Sequence, residues 1–274
     1  MMIIMRNLLI YVSIFLFSLS LSAQDLTILH LNDTHSHIEP ERNGLYAGMG
    51  GVIEQAAYID SVRTAEGASN VLLLHAGDFN QGTSYFTELG GAVEVDVLNA
   101  MSFDAVCLGN HEFDNGLEDL AARVRKLNMP VLCANYDFRS TPLEGLVYPY
   151  VIIEKAGRRI GIFGLLTDLT VVVKAEIAAL LKYTDPAAAA NSCIAMLEDA
   201  GCDMIVALTH LGYEGEFYTD CELAANTSGI DVIVGGHSHT FLDDKAVLRD
   251  KNGKKVVYVT DGKWGVNIGK LTVK

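Results

Sequence analysis

Five short segments between Asn32 and His239 concentrate the residues able to do chemistry. They are NDTH (Asn32 to His35), GD (Gly77 and Asp78), GNHEFD (Gly109 to Asp114), TH (Thr209 and His210) and GGHSH (Gly235 to His239). Aspartate, asparagine and histidine are oxygen and nitrogen donors suited to divalent ions. A two-ion hydrolytic centre needs such ligands held rigidly, one carboxylate shared between the ions, and an open position for water. Of the eight histidines in the chain, His35, His111, His210, His237 and His239 fall in these segments. A lone histidine at a strand end is an ordinary surface residue, and a lone GD pair is an ordinary turn. Five such histidines together argue for a metal site, and so for an enzyme. His30 and His75 lie inside apolar runs and read as structural. His37 reads either as a loop residue or as a support for the ligands.

Strands deliver most of these segments. Residues 25–31 alternate like a strand and end at Asn32. Residues 70–76, 104–108, 203–208 and 230–234 are continuous apolar runs, as expected of strands buried on both faces. Each is followed by a segment that could ligate a metal, and ligands gather outside the carboxyl ends of strands in α/β sheets. Asp33 and His35 are expected on one side of an extended chain leaving the first strand, and His237 and His239 in the same way.

Helices are expected from Gly50-Gly51 to about Thr64, over 92–101, and over 116–127. In the last, Leu117, Leu120, Ala121, Val124 and Leu127 share a face and Pro130 is the stop, with a strand over 130–135. Asp185-Pro186 is a helix start, a capping aspartate followed by proline, and Gly201 ends that helix. Residues 147–155 and 159–165 read as a hairpin around Ala156-Gly157. Residues 244–250, 255–260 and 266–273 read as three consecutive antiparallel strands with a turn at Asn252-Gly253. The alternation predicts an α/β fold with two packed mixed β-sheets flanked by helices, as one domain over residues 24–274.

Half of the 274 residues are hydrophobic, enough for a sizeable core. The net charge of −14 disfavours binding to nucleic acid or an anionic membrane. It also sets a condition on any phosphate chemistry, because metal ions must make the site locally positive. Arg6, the apolar stretch from Leu8 to Leu21 and the small residues Ser22-Ala23 predict a signal peptide over residues 1–23. The apolar stretch is short for a membrane span. The expectation is export to the periplasm or the extracellular space with no stable membrane anchor. The five cysteines form no CxxC pair. Cys107 and Cys133 read as inert core residues, and pairing of Cys202 with Cys221 stays open.

The five segments, in this order, resemble the signature of calcineurin-like metallophosphoesterases. GDFNQGTSYF (Gly77 to Phe86) and GNHEFDNG (Gly109 to Gly116) are more closely similar to the N-terminal catalytic domain of the secreted 5′-nucleotidase family. The resemblance covers about residues 25–273. It implies the four-layer fold of that superfamily and two divalent ions, Zn or Mn with Fe as an alternative. It implies that Asp33, His35, Asp78 and His239 hold one ion. Asp78, Asn110, His210 and His237 would hold the other, so that Asp78 bridges. It gives His111 the part of catalytic histidine and Asp114 that of its partner. The expected reaction is hydrolysis of phosphate monoesters, with nucleotides as substrates. Alternatives are a phosphodiesterase or other ester hydrolase on the same centre, or a non-catalytic subunit that binds metal or a phospho-ligand. The family carries a C-terminal substrate-binding domain that has no counterpart up to Lys274. A separate chain supplying that domain is therefore an expected partner.

Overall fold

The computed structural model describes residues 24–274; the expected signal peptide, residues 1–23, lies outside the described residues. Two six-stranded mixed sheets dominate. In the first, the strands run in the order Gly269–Val273, Leu26–Leu31, Val71–His75, Ala105–Cys107, Val131–Leu132 and Val147–Tyr148. In the second the order is Ala246–Arg249, Lys255–Val259, Val232–Gly235, Met204–His210, Arg158–Leu166 and Tyr150–Lys155. A small two-stranded pair, Tyr136–Asp137 with Lys182–Tyr183, stands apart.

The continuous apolar runs follow from the layering. Leu72 and Leu74 point between the sheets, where they pack with Ile160, Ile162, Val206 and Val234. Their neighbours Val71 and Leu73 point the other way, onto Ile59, Leu98 and Leu120 of the helices Val52–Glu66, Ala92–Met101 and Leu117–Val124. The second sheet repeats the arrangement. Ile205, Ala207 and Ile233 turn outward onto Ala190, Ile194 and Leu197 of the helix Pro186–Asp199. Strands buried on both faces have no solvent side on which to place a polar residue. The result is the expected four layers, helix, sheet, sheet, helix.

The hairpin Tyr150–Lys155 with Arg158–Leu166 forms as expected, and Asp185 caps its helix by accepting from the Ala188 N–H. Four local expectations are corrected. The run 147–155 breaks at Pro149, and its first two residues join the first sheet rather than the second. The helix expected over 116–127 ends at Val124, leaving Leu127 only partly buried, and the strand expected over 130–135 is two residues long. The tail is not a three-strand meander. Ala246–Arg249 and Lys255–Val259 pair antiparallel, but Gly269–Val273 crosses to the other sheet and pairs with Leu26–Leu31. That crossing ties the two sheets together beside the Asn32-Asp33 segment.

All five cysteines are unpaired, Cys202 and Cys221 included. Cys107 and Cys133 are core residues, as read from the sequence, and burial pushes the Cys133 thiol up to about 12. No helix among the described residues is long and apolar enough to cross a membrane.

Candidate metal centre

The site forms where five strands end. The loop after Leu26–Leu31 lies along the loop after Val71–His75. Asp33 N–H donates to the Gly77 carbonyl, His35 N–H to that of Asp78 and Ser36 N–H to that of Phe79, each at 3.0 Å. Two glycines permit the approach of the remaining loops. A Cβ on Gly109 would lie 2.1 Å from Asp78 Oδ1, and one on Gly77 would lie 2.7 Å from the Gly109 nitrogen. Gly77 also has φ +88°, a conformation that costs glycine least.

Three overlapping groups of ligand atoms result: Asp33, His35 and His239; Asp78, His210 and His237; and His35, Asp78 and His111. Asp78 faces both sides. Its Oδ2 is 3.0 Å from His210 Nε2 and 4.0 Å from His35 Nε2. His239 Nε2 is 3.3 Å from Asp33 Oδ1 and 2.9 Å from His35 Nε2. Two imidazoles are fixed from behind. His210 Nδ1–H donates to the Ala76 carbonyl at 2.7 Å and His35 Nδ1–H to that of Asn80 at 3.3 Å. In each ring Nε2 is thereby left to face the cluster, the usual support for a metal-binding histidine.

These residues fit divalent ions. Asn110 Oδ1 is buried and has no hydrogen-bond partner, and His210 Nε2 has only the Asp78 carboxylate beside it. Orphaned buried polar atoms are costly unless something satisfies them, and a cation between Asp78, His210, His237 and Asn110 would do so. The sequence-predicted ligands Asp33, His35, Asp78, His210, His237 and His239 are thus brought together, and Asn110 precedes the His111 N–H that donates to Asp78. The route differs from the one expected. Asp33, His35, Asp78, His237 and His239 all have positive φ, between 47° and 77°. The pairs Asp33/His35 and His237/His239 therefore sit in left-handed turns, not on an extended chain, and His237 and His239 join different groups. His37 stays outside, stacked on Trp264 with ring centroids 4.9 Å apart and paired with Glu41. His30 and His75 are buried structural residues: His30 pairs with Asp261, and His75 hydrogen-bonds Thr34.

Electrostatics follow from burial and crowding. Burial opposes protonation of His210, but the Asp78 and Asp33 carboxylates outweigh it and lift His210 to about 10. Burial, with the neighbouring His210 charge, lowers His237 to about 4. Burial works against an ionised Asp78, yet His210 and the other histidines hold it far below the usual carboxylate range. At the mouth, His111 Nδ1 lies 2.8 Å from Asp114 Oδ2, and that hydrogen bond raises the His111 pKa against partial burial. The His111 backbone N–H donates to Asp78 Oδ1 at 2.9 Å.

Two supports were missed in the sequence. Glu112 is fully buried, and its carboxylate accepts from the N–H groups of Asp78, Phe79, Asn80 and Gly109 and from Asn80 Nδ2. It fastens the Asp78 loop to the Asn110 loop. Asn32 donates to Asp33 Oδ2 at 2.7 Å and to the Gly262 carbonyl, and accepts from Asp261 N–H. Both residues stand inside the quoted segments, so the signal was a polar residue in a motif with no assigned duty. Glu112→Gln puts an N–H against backbone donors, and is expected to weaken divalent-ion binding by about 10- to 100-fold. Isothermal titration with Mn²⁺ measures this; unchanged affinity would show that Glu112 does not govern the ligand loops.

The layered sheets and this centre define a metallophosphoesterase. The chain belongs to the calcineurin-like phosphoesterase family, whose sequence profile matches residues 26–241. Among curated proteins it is 38% identical over 233 residues to a probable 5′-nucleotidase of Treponema pallidum, covering 82% of this chain and 38% of that protein. Among solved structures it is similar to a 5′-nucleotidase precursor from Thermus thermophilus, at TM-score 0.84 and 36% identity, over 91% of this chain and 51% of that one. It is also similar to the NAD nucleotidase of Haemophilus influenzae, at TM-score 0.80 and 32% identity, over 90% of this chain and 47% of that one. The chain therefore spans about half or less of the length of the relatives it matches.

Proposed function

We propose that this protein hydrolyses phosphate monoesters, with nucleotides as the substrate class, at a centre of two divalent ions. The observation that carries the reading is Asp78 set between Asp33, His35 and His239 on one side and His210 and His237 on the other. Asp33, His35, Asp78 and His239 would hold one ion, and Asp78, Asn110, His210 and His237 the other. When bound, such ions supply a water acidified toward neutrality and positive charge for the phosphoryl oxygens. Imidazole, carboxylate and amide donors without sulfur suit Zn, Mn or Fe.

The chain's own residues do the rest. Asn32 and the His237 backbone N–H orient Asp33, the latter at 2.9 Å from Asp33 Oδ2. The Nδ1 hydrogen bonds of His35 and His210 keep their rings from turning. His111 holds a proton on Nδ1 against Asp114 and presents Nε2 at the mouth. As an imidazolium it donates from Nε2 to a phosphoryl or leaving-group oxygen. Because the Asp114 hydrogen bond raises the His111 pKa, the protonated form survives to higher pH. Asp114→Asn removes that charge, so the alkaline limb of the kcat profile is expected to move to lower pH; a limb that stays in place refutes the pairing.

Residues 24–274 are read as the catalytic domain and residues 1–23 as an export signal, which N-terminal sequencing of the exported protein tests at Gln24. The decisive assay supplies Mn²⁺ or Zn²⁺ and compares nucleoside monophosphates, cyclic nucleotides, sugar phosphates and aryl sulfates. Preference for the monophosphates supports the proposal. Preference for cyclic diesters or sulfates would move the same centre to another ester. A second chain as partner is tested in the same assay, since full nucleotidase activity from isolated monomer shows that none is required.

A further inference from the structure

A second cavity, walled mostly by apolar side chains such as Leu31, Phe79, Leu98 and Phe103, lies behind the ligand loop. Its volume is about 30 Å³, and its polar wall is formed by the loop residues Thr34, Ser36 and His37, by Gln55 and His75, and by Glu94 in the first turn of the helix Ala92–Met101. That volume holds about two waters, or an ion and one water. Glu94 is only 3% exposed, and neither of its carboxylate oxygens has a hydrogen-bond partner. The Ser36 hydroxyl, 1% exposed, has none either. Three of the unpartnered buried atoms of the described residues therefore belong to residues lining this one space.

Nothing facing the cavity neutralises the carboxylate. Among the described residues, no lysine, arginine or histidine is paired with Glu94. Burial drops His75 to about 3, so that ring is neutral. Its Nδ1 accepts from the Gly77 N–H, and its Nε2–H donates to Thr34 Oγ1 at 3.0 Å. His37 is engaged with Glu41. Gln55 donates its amide nitrogen to the Gly265 carbonyl at 3.0 Å. The unpartnered buried polar atoms of the lining are all oxygens: two from Glu94 and one from Ser36.

We propose that this cavity binds one hard monovalent cation, of sodium or potassium size, through the Glu94 carboxylate and the Ser36 hydroxyl. An all-oxygen set selects a hard cation. A single carboxylate balances a single positive charge, whereas a divalent ion would leave the pocket with an excess in apolar surroundings. The ion would join the helix carrying Glu94 to the loop carrying Asp33 and His35, and so stiffen the metal centre from behind.

The test needs no hydrolysis, so it stands or falls independently of the phosphoesterase reading. Thermal unfolding of the full chain, free of divalent ions, is followed in NaCl, KCl and N-methyl-D-glucamine chloride at equal ionic strength. The expected result is a saturable rise of a few degrees in one of the alkali salts, lost in Glu94→Gln. Crystals soaked in thallous ion are expected to show one anomalous peak in the cavity, between Glu94 and Ser36. If Glu94→Gln does not fold, Ser36→Ala is expected to weaken the salt response, and the soak is read on the unmodified chain. Equal midpoints in all three salts with no thallium peak would overturn the proposal and leave the cavity to water alone.

Discussion

Replacing His111 with alanine is expected to lower kcat by about 10²- to 10⁴-fold, the usual range for a side chain that moves or holds a proton in the transition state. KM should change little, because the contact is made chiefly in the transition state. Divalent-ion content should not change. The backbone N–H of residue 111, which donates to Asp78 Oδ1, survives the substitution. The side chain is 30% exposed and anchored only through Nδ1 to Asp114, so Nε2 is free to meet substrate. The alternative is specific. His111 also lies in a group with His35 and Asp78 close enough to share an ion, and its ring centroid is 5.4 Å from that of His35. Were His111 a ligand, the alanine variant would lose metal as well as turnover. Metal analysis beside steady-state kinetics separates the two: two ions retained with kcat collapsed assigns His111 to catalysis, and a lost ion assigns it to the ligands.

What the sequence reveals here divides along physical lines. Runs such as Leu72–Leu74 and Val206–Leu208 announce strands buried on both faces, because layers on either side leave no room for polar residues. The partner of a strand is less visible. Residues 269–273 have the same pattern whether they continue a meander or cross to Leu26–Leu31, and only the closure of the first sheet decides. Site residues are legible as polar side chains placed directly after apolar runs. Their backbone is not, since Asp33, His35, Asp78, His237 and His239 take positive φ that β-strand periodicity does not foresee. Glu112 is the hardest case. As a glutamate opening a helical turn it looks like an ordinary exposed residue. It is buried because the loop at Asp78 folds over it from 34 residues away, and sequence separation of that kind leaves no local mark.

Asp78→Asn is expected to have the largest effect of any single substitution. One carboxylate oxygen, Oδ2, is 3.0 Å from His210 Nε2 and 4.0 Å from His35 Nε2, so both ligand groups depend on it. Asparagine is well tolerated at the φ of +54° that residue 78 adopts, and its size matches, so the backbone should hold. The charge is what disappears. Losing one stabilising contact to a developing oxyanion costs about 10²- to 10³-fold; losing the shared ligand removes more than one such contact, so kcat/KM should fall by over about 10³-fold. Ion stoichiometry should drop from two to one or none, whereas His239→Ala should remove only the ion beside Asp33. Stability supplies an independent reading. Ligand binding to the folded state raises its stability in proportion to the logarithm of occupancy, so Mn²⁺ should raise the unfolding midpoint of the parent chain but scarcely that of Asp78→Asn. A variant that still binds two ions and gains the same stabilisation from Mn²⁺ would show that Asp78 does not bridge, and the division of ligands into two groups about it would have to be abandoned.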